Sequence, residues 1–599
     1  MYCPTDFHMV QSGSMYKQNW DLELLYKNEN DPEIEKDLKC IEKVCDKFER
    51  KYKKSNFIKT PESLTQALDD INDVIKKLKS NKPLIYFSLR SDTNSNDKVA
   101  IARMTQYEQR ITVATNKLTF FDLAIAKIPK SSQKKYLQHK VLQKYSYMLK
   151  HIFDESQYNL TEQEEQLKSL LSQTSYTMWV DAQEKLLTQQ SIIHKGKTLT
   201  LSQVMGRISD VGRIERQELS KKLNKKLKSV SYFAGAEVNA VYNYKKIMDE
   251  RRGYKNPYSA TVLRYEHDEK TVEALVSIVT KYFKISHRFY KLHARLLKQK
   301  KLTMADRSAQ IGNINEKFTF PRSINIVRET FLNIGERYVN IFDTFLKNGQ
   351  IDVFPKKGKK SGAYCCGANE LPTFLLLNHA DNIHSVGTLA HEMGHAIHAE
   401  LSRKQPLWYR GHTIVTAEVA STFFEQAVLD SIQNKLSKKE KIIFLHNKLL
   451  NDISTIFRQV ACFNFELDLH KQIRSKGQIS ASDIAMCMQK HLKSYVGSAI
   501  DVIQDDGYYF VTWSHIRAFF YVYSYAFGQL VSRVLYENWK KDNTYIKKVE
   551  QFLSAGKSKS PYEIFKSIGI DTSNPKFFED GLKSIEQDIK YLEKLSHSV

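Results

Sequence analysis

Residues 389–403, LAHEMGHAIHAELSR, contain His391-Glu392-Met393-Gly394-His395, an H-E-x-x-H pattern. No other stretch limits the fold of this chain so sharply. Side chains four apart on an α-helix lie one above the other on the same face. His391 and His395 can therefore turn imidazole nitrogens toward one metal ion if this segment is helical. Glu392 lies about 100° round the axis from His391, beside such an ion, where a base for an activated water belongs. Two imidazoles leave the coordination short, because a catalytic zinc site usually takes three protein ligands. A second element must then fold back and bring the missing donor. Five letters alone also arise by chance in long chains, so the surroundings must decide.

Asp381 and Asn382 are both good N-caps for this helix, which should end before Pro406. The metzincin pattern needs a third His ten residues after His391, and that position is Leu401. His398 shares the face of His391 and His395, but three ligands on one straight helix strain the reach to a single ion. His398 is better read as a packing or outer residue. The stronger candidate lies in IVTAEVASTFFEQAVLD, residues 414–430, which reads as a second helix. Glu418 and Glu425 are two turns apart on nearly one face. Ala417, Ala420 and Ser421 are small enough for a close helix crossing. Glu418 can complete a His2Glu set, and Glu425 can accept a hydrogen bond from a ligand imidazole. Two imidazoles and a carboxylate suit zinc, one ion per chain.

Just upstream, residues 348–378 change character. Glycines at 349, 358, 362 and 367, with Pro355 and Pro372, punctuate short β-like runs. GAYCC and PTFLLLN read as strands of a small sheet beside the metal helix. An exposed strand there could pair with the backbone of an extended peptide; the competing reading is that it only packs under the helix.

Elsewhere the chain reads as helix. Gly 22 and Pro 12 are few for 599 residues, a length that also suggests two or more lobes. Pro32 after Asp31 suits a helix start, and Thr161 with Glu164 fits a capping box. The polar stretch IIHKGKTLTLSQ, 192–203, is the nearest thing to a domain boundary, and DERRGYKNPYSA, 249–260, reads as a loop. The expected regions are 1–110, 111–200 and 201–599. No apolar run approaches the ~20 residues that span a bilayer. MYCPTDFHMVQSGS at the N-terminus lacks the pattern of a secretory signal. Seven cysteines without paired spacing fit a reducing cytoplasm. The net charge of +24 admits a polyanion partner, but the basic residues are dispersed; even KKLNKKLK, 221–228, carries Leu at helical spacing. No nucleic-acid or membrane partner is expected, and a monomer is favoured.

HEMGHAIH followed by AEVASTFFE resembles the M3 family of zinc metallopeptidases. GAYC, FYVYSYAFG, the WDL start, the RRGY segment and the ID.FP..GK run are similar to its oligoendopeptidase F branch. The resemblance implies a helical clamshell with a deep channel, one zinc ion and endopeptidase action on short peptides. It maps the ligands onto His391, His395 and Glu418 and the base onto Glu392. In WSHIRAFFYVYSYAFG, residues 513–528, the apolar residues read as helix core. The resemblance implies a His and Tyr set here that contacts substrate. This chain has one residue fewer between His515 and the FYVY run than the family pattern, so His515 and Tyr525, then Tyr521, are the candidates. The rival readings are a non-catalytic basic binding protein for RNA or another polyanion, and a zinc enzyme acting on a non-peptide amide.

Overall fold

The computed structural model describes residues 16–597 apart from Asn369. The N-terminal stretch read for a secretory signal lies outside the described residues. The fold is mainly α, with only short strands among the described residues. No helix among them is long and apolar enough to cross a membrane. The six described cysteines are all unpaired.

Local signals set the helix ends. Pro32–Tyr52 starts on the Asp31 side chain, which accepts from the Glu33 N–H, and buries Leu38, Ile41, Cys45 and Phe48 at helical spacing. Thr161 and Glu164 form the reciprocal capping box. Leu219, Leu223 and Leu227 line the buried face of the long helix Arg213–Arg252, which stops where Gly253 turns left-handed at φ 77°. Its lysines lie outside, and Lys222 and Lys228 pair with Glu218 and Asp505. Within the polar stretch near 192–203, Ser191–His194 pairs antiparallel with Lys197–Thr200 in a hairpin, which the sequence reading did not include. Gly196 and Lys195 supply the two positive-φ residues of its tight turn, which the lysine disguised in the sequence.

Among the described residues, packing is divided among three apolar cores. The largest runs from Ile192 to Leu592 and surrounds the motif helix. Two smaller cores join the N-terminal helices, and one of them takes in Leu371 and Phe374 from the small sheet. In that sheet Leu371–Leu376 lies between Ile351–Asp352, parallel to it, and Tyr364–Ala368, antiparallel to it. Tyr364–Ala368 is thus an edge strand. The Trp20 indole donates to the Leu375 carbonyl at 2.8 Å, fastening the N-terminal segment to the sheet.

Candidate active site

The motif helix spans Ile383–Ser402 and is capped by Asn382, whose side chain accepts from the Ser385 N–H. The facing helix spans Ile414–Gln433. They cross where Gly394 meets Ser421. A Cβ on Gly394 would lie 2.6 Å from the Ser421 Cα and 3.0 Å from the Ala420 carbonyl oxygen, so only glycine fits. A third helix, Tyr523–Lys541, closes on the facing helix at Gly528, where a Cβ would lie 2.6 Å from the Glu418 Cβ. Glu418 is thereby held between two helices and has few directions left.

One donor atom each from His391, His395 and Glu418 falls within 4.8 Å of the others. Glu418 Oε2 is 3.6 Å from His391 Nε2, and Glu425 Oε2 is 2.9 Å from His391 Nδ1. Glu425 thus engages the ring nitrogen that faces away from Glu418, which fixes the imidazole's orientation. Glu392 is buried, and its Oε2 has no hydrogen-bond partner among the described groups. Burial raises its carboxyl to about 7, with Glu418 and Glu425 pushing the same way against the pull of His391. Burial likewise raises Glu418 and drives His395 well down. Burial opposes charge on His391 too, but the Glu425 hydrogen bond and the surrounding carboxylates overcome it and hold the ring at about 9. Glu392, Glu418 and Glu425 thus gather round one imidazole, a group of carboxylates that a divalent cation would suit. Donor types and spacing both fit such an ion.

Two cavities meet at these residues. One, of about 460 Å³, is lined by His391, Glu392, Glu418 and Tyr525. The other, of about 440 Å³, adds His395, His412 and the edge-strand residues Tyr364 and Cys365. His398 does not face the donor set. It is buried, stacked on His412 at 4.6 Å and against Phe552 at 5.2 Å. His412 lies parallel to His395 at 6.5 Å, and spacing alone missed it. Its only local signal is Gly411, left-handed at φ 84°, which turns the chain just ahead of the facing helix. A second donor group, Asp468, Cys487 and His491, lies elsewhere. Its carboxylate already accepts from Lys490 at 2.8 Å and lies 3.1 Å from the His491 ring.

The aromatic segment is not one helix. The helix begins at Tyr523, and residues 514–517 form a single 3-10 turn. Phe519 and Phe520 adopt φ of 49° and 59°, left-handed values that bulky residues resist. Buried partners impose that shape. The Phe520 N–H donates to Glu466 at 2.8 Å, Thr261 donates to the Phe519 carbonyl at 2.8 Å, and the Arg517 guanidinium donates to buried Glu237 at 2.7 Å. The fold-back brings His515 Nε2 to 3.3 Å from the Tyr525 hydroxyl. Tyr521 packs on both rings, at 5.8 Å and 5.3 Å. Tyr523 turns into the core and lies 3.3 Å from the His267 ring. Burial raises Tyr521 and Tyr525, which keeps both hydroxyls protonated as donors, and lowers His515.

The family model for peptidase family M3 matches residues 224–584. The chain belongs to peptidase family M3. A second model, oligopeptidase F, matches residues 125–189. An oligoendopeptidase F homolog of Lactococcus lactis subsp. lactis (strain IL1403) is 24% identical over 597 residues, covering 97% of each chain. Oligopeptidase PepF of Bacillus subtilis (strain 168) is 28% identical over 353 residues, 57% of this chain and about half (52%) of that relative. A Chlamydophila abortus structure superposes with a TM-score of 0.83 at 21% identity, covering 96% of this chain and 99% of that one. Oligoendopeptidase-F of Enterococcus faecium gives 0.68 at 18% identity, with 95% and 98% covered. These likenesses show the same helical fold. Within an M3 peptidase, the donor set and the paired cavities mark the candidate active site.

Proposed function

We propose that this M3 member is a cytoplasmic, monomeric zinc endopeptidase that cleaves internal bonds of short, unstructured peptides. The convergence of His391, His395 and Glu418 beside the unsatisfied carboxylate of Glu392 carries the reading. These three side chains would hold the zinc ion, which when bound supplies Lewis acidity and lowers the pKa of water. Glu392 takes the proton of the attacking water and returns it to the leaving amine. Glu425 holds the His391 ring in place through its 2.9 Å contact. Tyr525, with His515 behind it, donates toward the carbonyl oxygen as charge builds there; Tyr521 is the alternative donor. The edge strand Tyr364–Ala368 offers free backbone groups to an extended peptide, a way of holding substrates without regard to sequence.

The test is digestion of a mixed peptide library, read by mass spectrometry, with and without a chelator. Chelation should stop cleavage and zinc should restore it. Glu392→Gln should lower kcat by roughly 10²–10⁴-fold with zinc content near one per chain. Cleavage by Glu392→Gln at the wild-type rate would sink the mechanism. A polyanion-binding protein would instead show chelator-indifferent, salt-dependent retention on nucleic acid. The pairing of Lys222 and Lys228 with acids argues against that alternative.

A further inference from the structure

We infer that the cleft continues past the donor set into an anion subsite built by Arg307 and Arg458, which selects peptides presenting a carboxylate. This rests on the endopeptidase reading and names the substrate class. A cavity of about 470 Å³ adjoins the one at His391 and Glu418, sharing walls that include Thr422, Glu425, Asn451 and Gln529. Arg307 and Arg458 both line it.

The charges in that lining are not all alike. Lys448 pairs with Asp430 and Asp588 at 3.6 Å and 3.7 Å. Asp452 is held by Arg533 at 3.0 Å and Gln529 at 2.8 Å. Glu425 is engaged by His391. Arg307 and Arg458 form no ion pair within 4 Å among the described residues; Arg307 lies among Tyr495, Tyr509 and Tyr290, hydrogen-bonded to Tyr495, with the Asp506 carboxylate acting on it only from further off. The Arg458 Nε is buried without any hydrogen-bond partner. Aromatic rings back both guanidiniums instead. Arg307 sits over Tyr509 at 5.6 Å and Arg458 over Trp513 at 5.6 Å, and the two rings are themselves 5.4 Å apart. Arg458 ends the π-helical turn Ile453–Arg458, a wide turn of a kind often found at functional sites.

Two half-buried cations with no carboxylate in direct contact leave guanidinium N–H groups that an anion entering the cavity could take up. A guanidinium fork matches a carboxylate in both shape and charge. On a peptide that carboxylate is either the C-terminus or an Asp or Glu side chain, and the cavity has room for a residue or two.

The experiment uses matched peptides on the zinc-loaded enzyme: free acid against C-terminal amide, and Glu against Gln along one sequence. Binding of the same labelled peptides to Glu392→Gln protein is measured in parallel. One carboxylate form should be preferred at least tenfold in kcat/KM, mainly through KM, and tenfold in binding. Sensitivity to amidation identifies the C-terminus, and sensitivity to Glu→Gln identifies a side chain. In the double variant Arg307→Gln, Arg458→Gln both ratios should fall to within twofold of one, while Arg458→Lys alone should retain part of the preference. Ratios near one in the wild type overturn the proposal, as do unchanged ratios in a double variant that melts and binds zinc normally. If no peptide is hydrolysed at all, the endopeptidase reading fails, and the binding ratios still decide the subsite.

Discussion

Replacing Gly394 by alanine adds one methyl group at the point where the motif helix crosses the facing helix. The new Cβ would sit 2.6 Å from the Ser421 Cα and 3.1 Å from the Ser421 carbonyl oxygen. Both are backbone atoms, so no side chain can swing aside. Reaching the 3.4 Å where ordinary contact begins requires the helices to part by about 0.8 Å. Overpacking of this kind costs about 1–3 kcal/mol, and alanine's better helix propensity offsets up to about 1 kcal/mol of it. A net loss of about 1–2 kcal/mol is expected. The second consequence is chemical. His391 and His395 lie on one helix and Glu418 on the other, so parting them spreads a donor set that now closes within 4.8 Å. Zinc affinity should fall by about 10–100-fold, the scale seen when ligand support is lost. Gly387→Ala is the internal control. It lies on the same helix, but its nearest contact is the Leu429 Cδ2 at 3.3 Å, the end of a flexible side chain. That variant should stay within about 0.5 kcal/mol of wild type. Thermal melts with and without zinc, and chelator competition for the zinc dissociation constant, measure both effects. If Gly394→Ala melts and binds zinc as Gly387→Ala does, the crossing does not set the site and the reasoning is wrong.

Glu425→Ala frees the His391 ring from its 2.9 Å partner and should weaken zinc binding by about 10–100-fold, read by the same competition. Tyr525→Phe should lower kcat by about 10²–10³-fold with KM little changed; a smaller effect than that of Tyr521→Phe would hand the donor role to Tyr521. Stability should fall on acidification even in chelator. Burial lowers His267 to about 4 and His446 to about 3 from 6.5. Between pH 6.5 and those values the unfolded chain therefore binds more protons than the folded one, and the stability present above pH 6.5 is lost as pH drops. His267 alone accounts for roughly 3 kcal/mol by pH 4, at about 1.4 kcal/mol per pH unit. His267→Gln should flatten the pH dependence of urea midpoints, and an unchanged slope would mean that this ring is not held neutral.

Much of the site region was legible because its signals are local. The i, i+4 spacing of His391 and His395, the Asn382 cap and the small residues around Glu418 each follow from helix geometry, and Ile383–Ser402 and Ile414–Gln433 form as those patterns require. The strands at Tyr364–Ala368 and Leu371–Leu376 were marked by the glycines and prolines that bound them. The aromatic segment reads as helix core from its run of apolar residues, although Phe, Tyr and Val are only middling helix formers. What breaks it there is Glu466, Thr261 and Glu237, side chains far away in sequence. His412 and Arg458 carried no pattern of their own, since stacking beside the His395 ring or lining a cavity leaves no periodic trace.

Periodicity and capping by themselves determined the motif helix and its facing helix and the face of each that holds the candidate donors, since those depend on neighbours within a turn or two. Only the tertiary structure decided how closely the helices approach, at Gly394 against Ser421 and at Gly528 against Glu418. It also decided which tyrosine meets His515 and which charges are left without a partner. Those outcomes depend on volumes and dielectric surroundings that many distant residues create together, and no short stretch of chain encodes them.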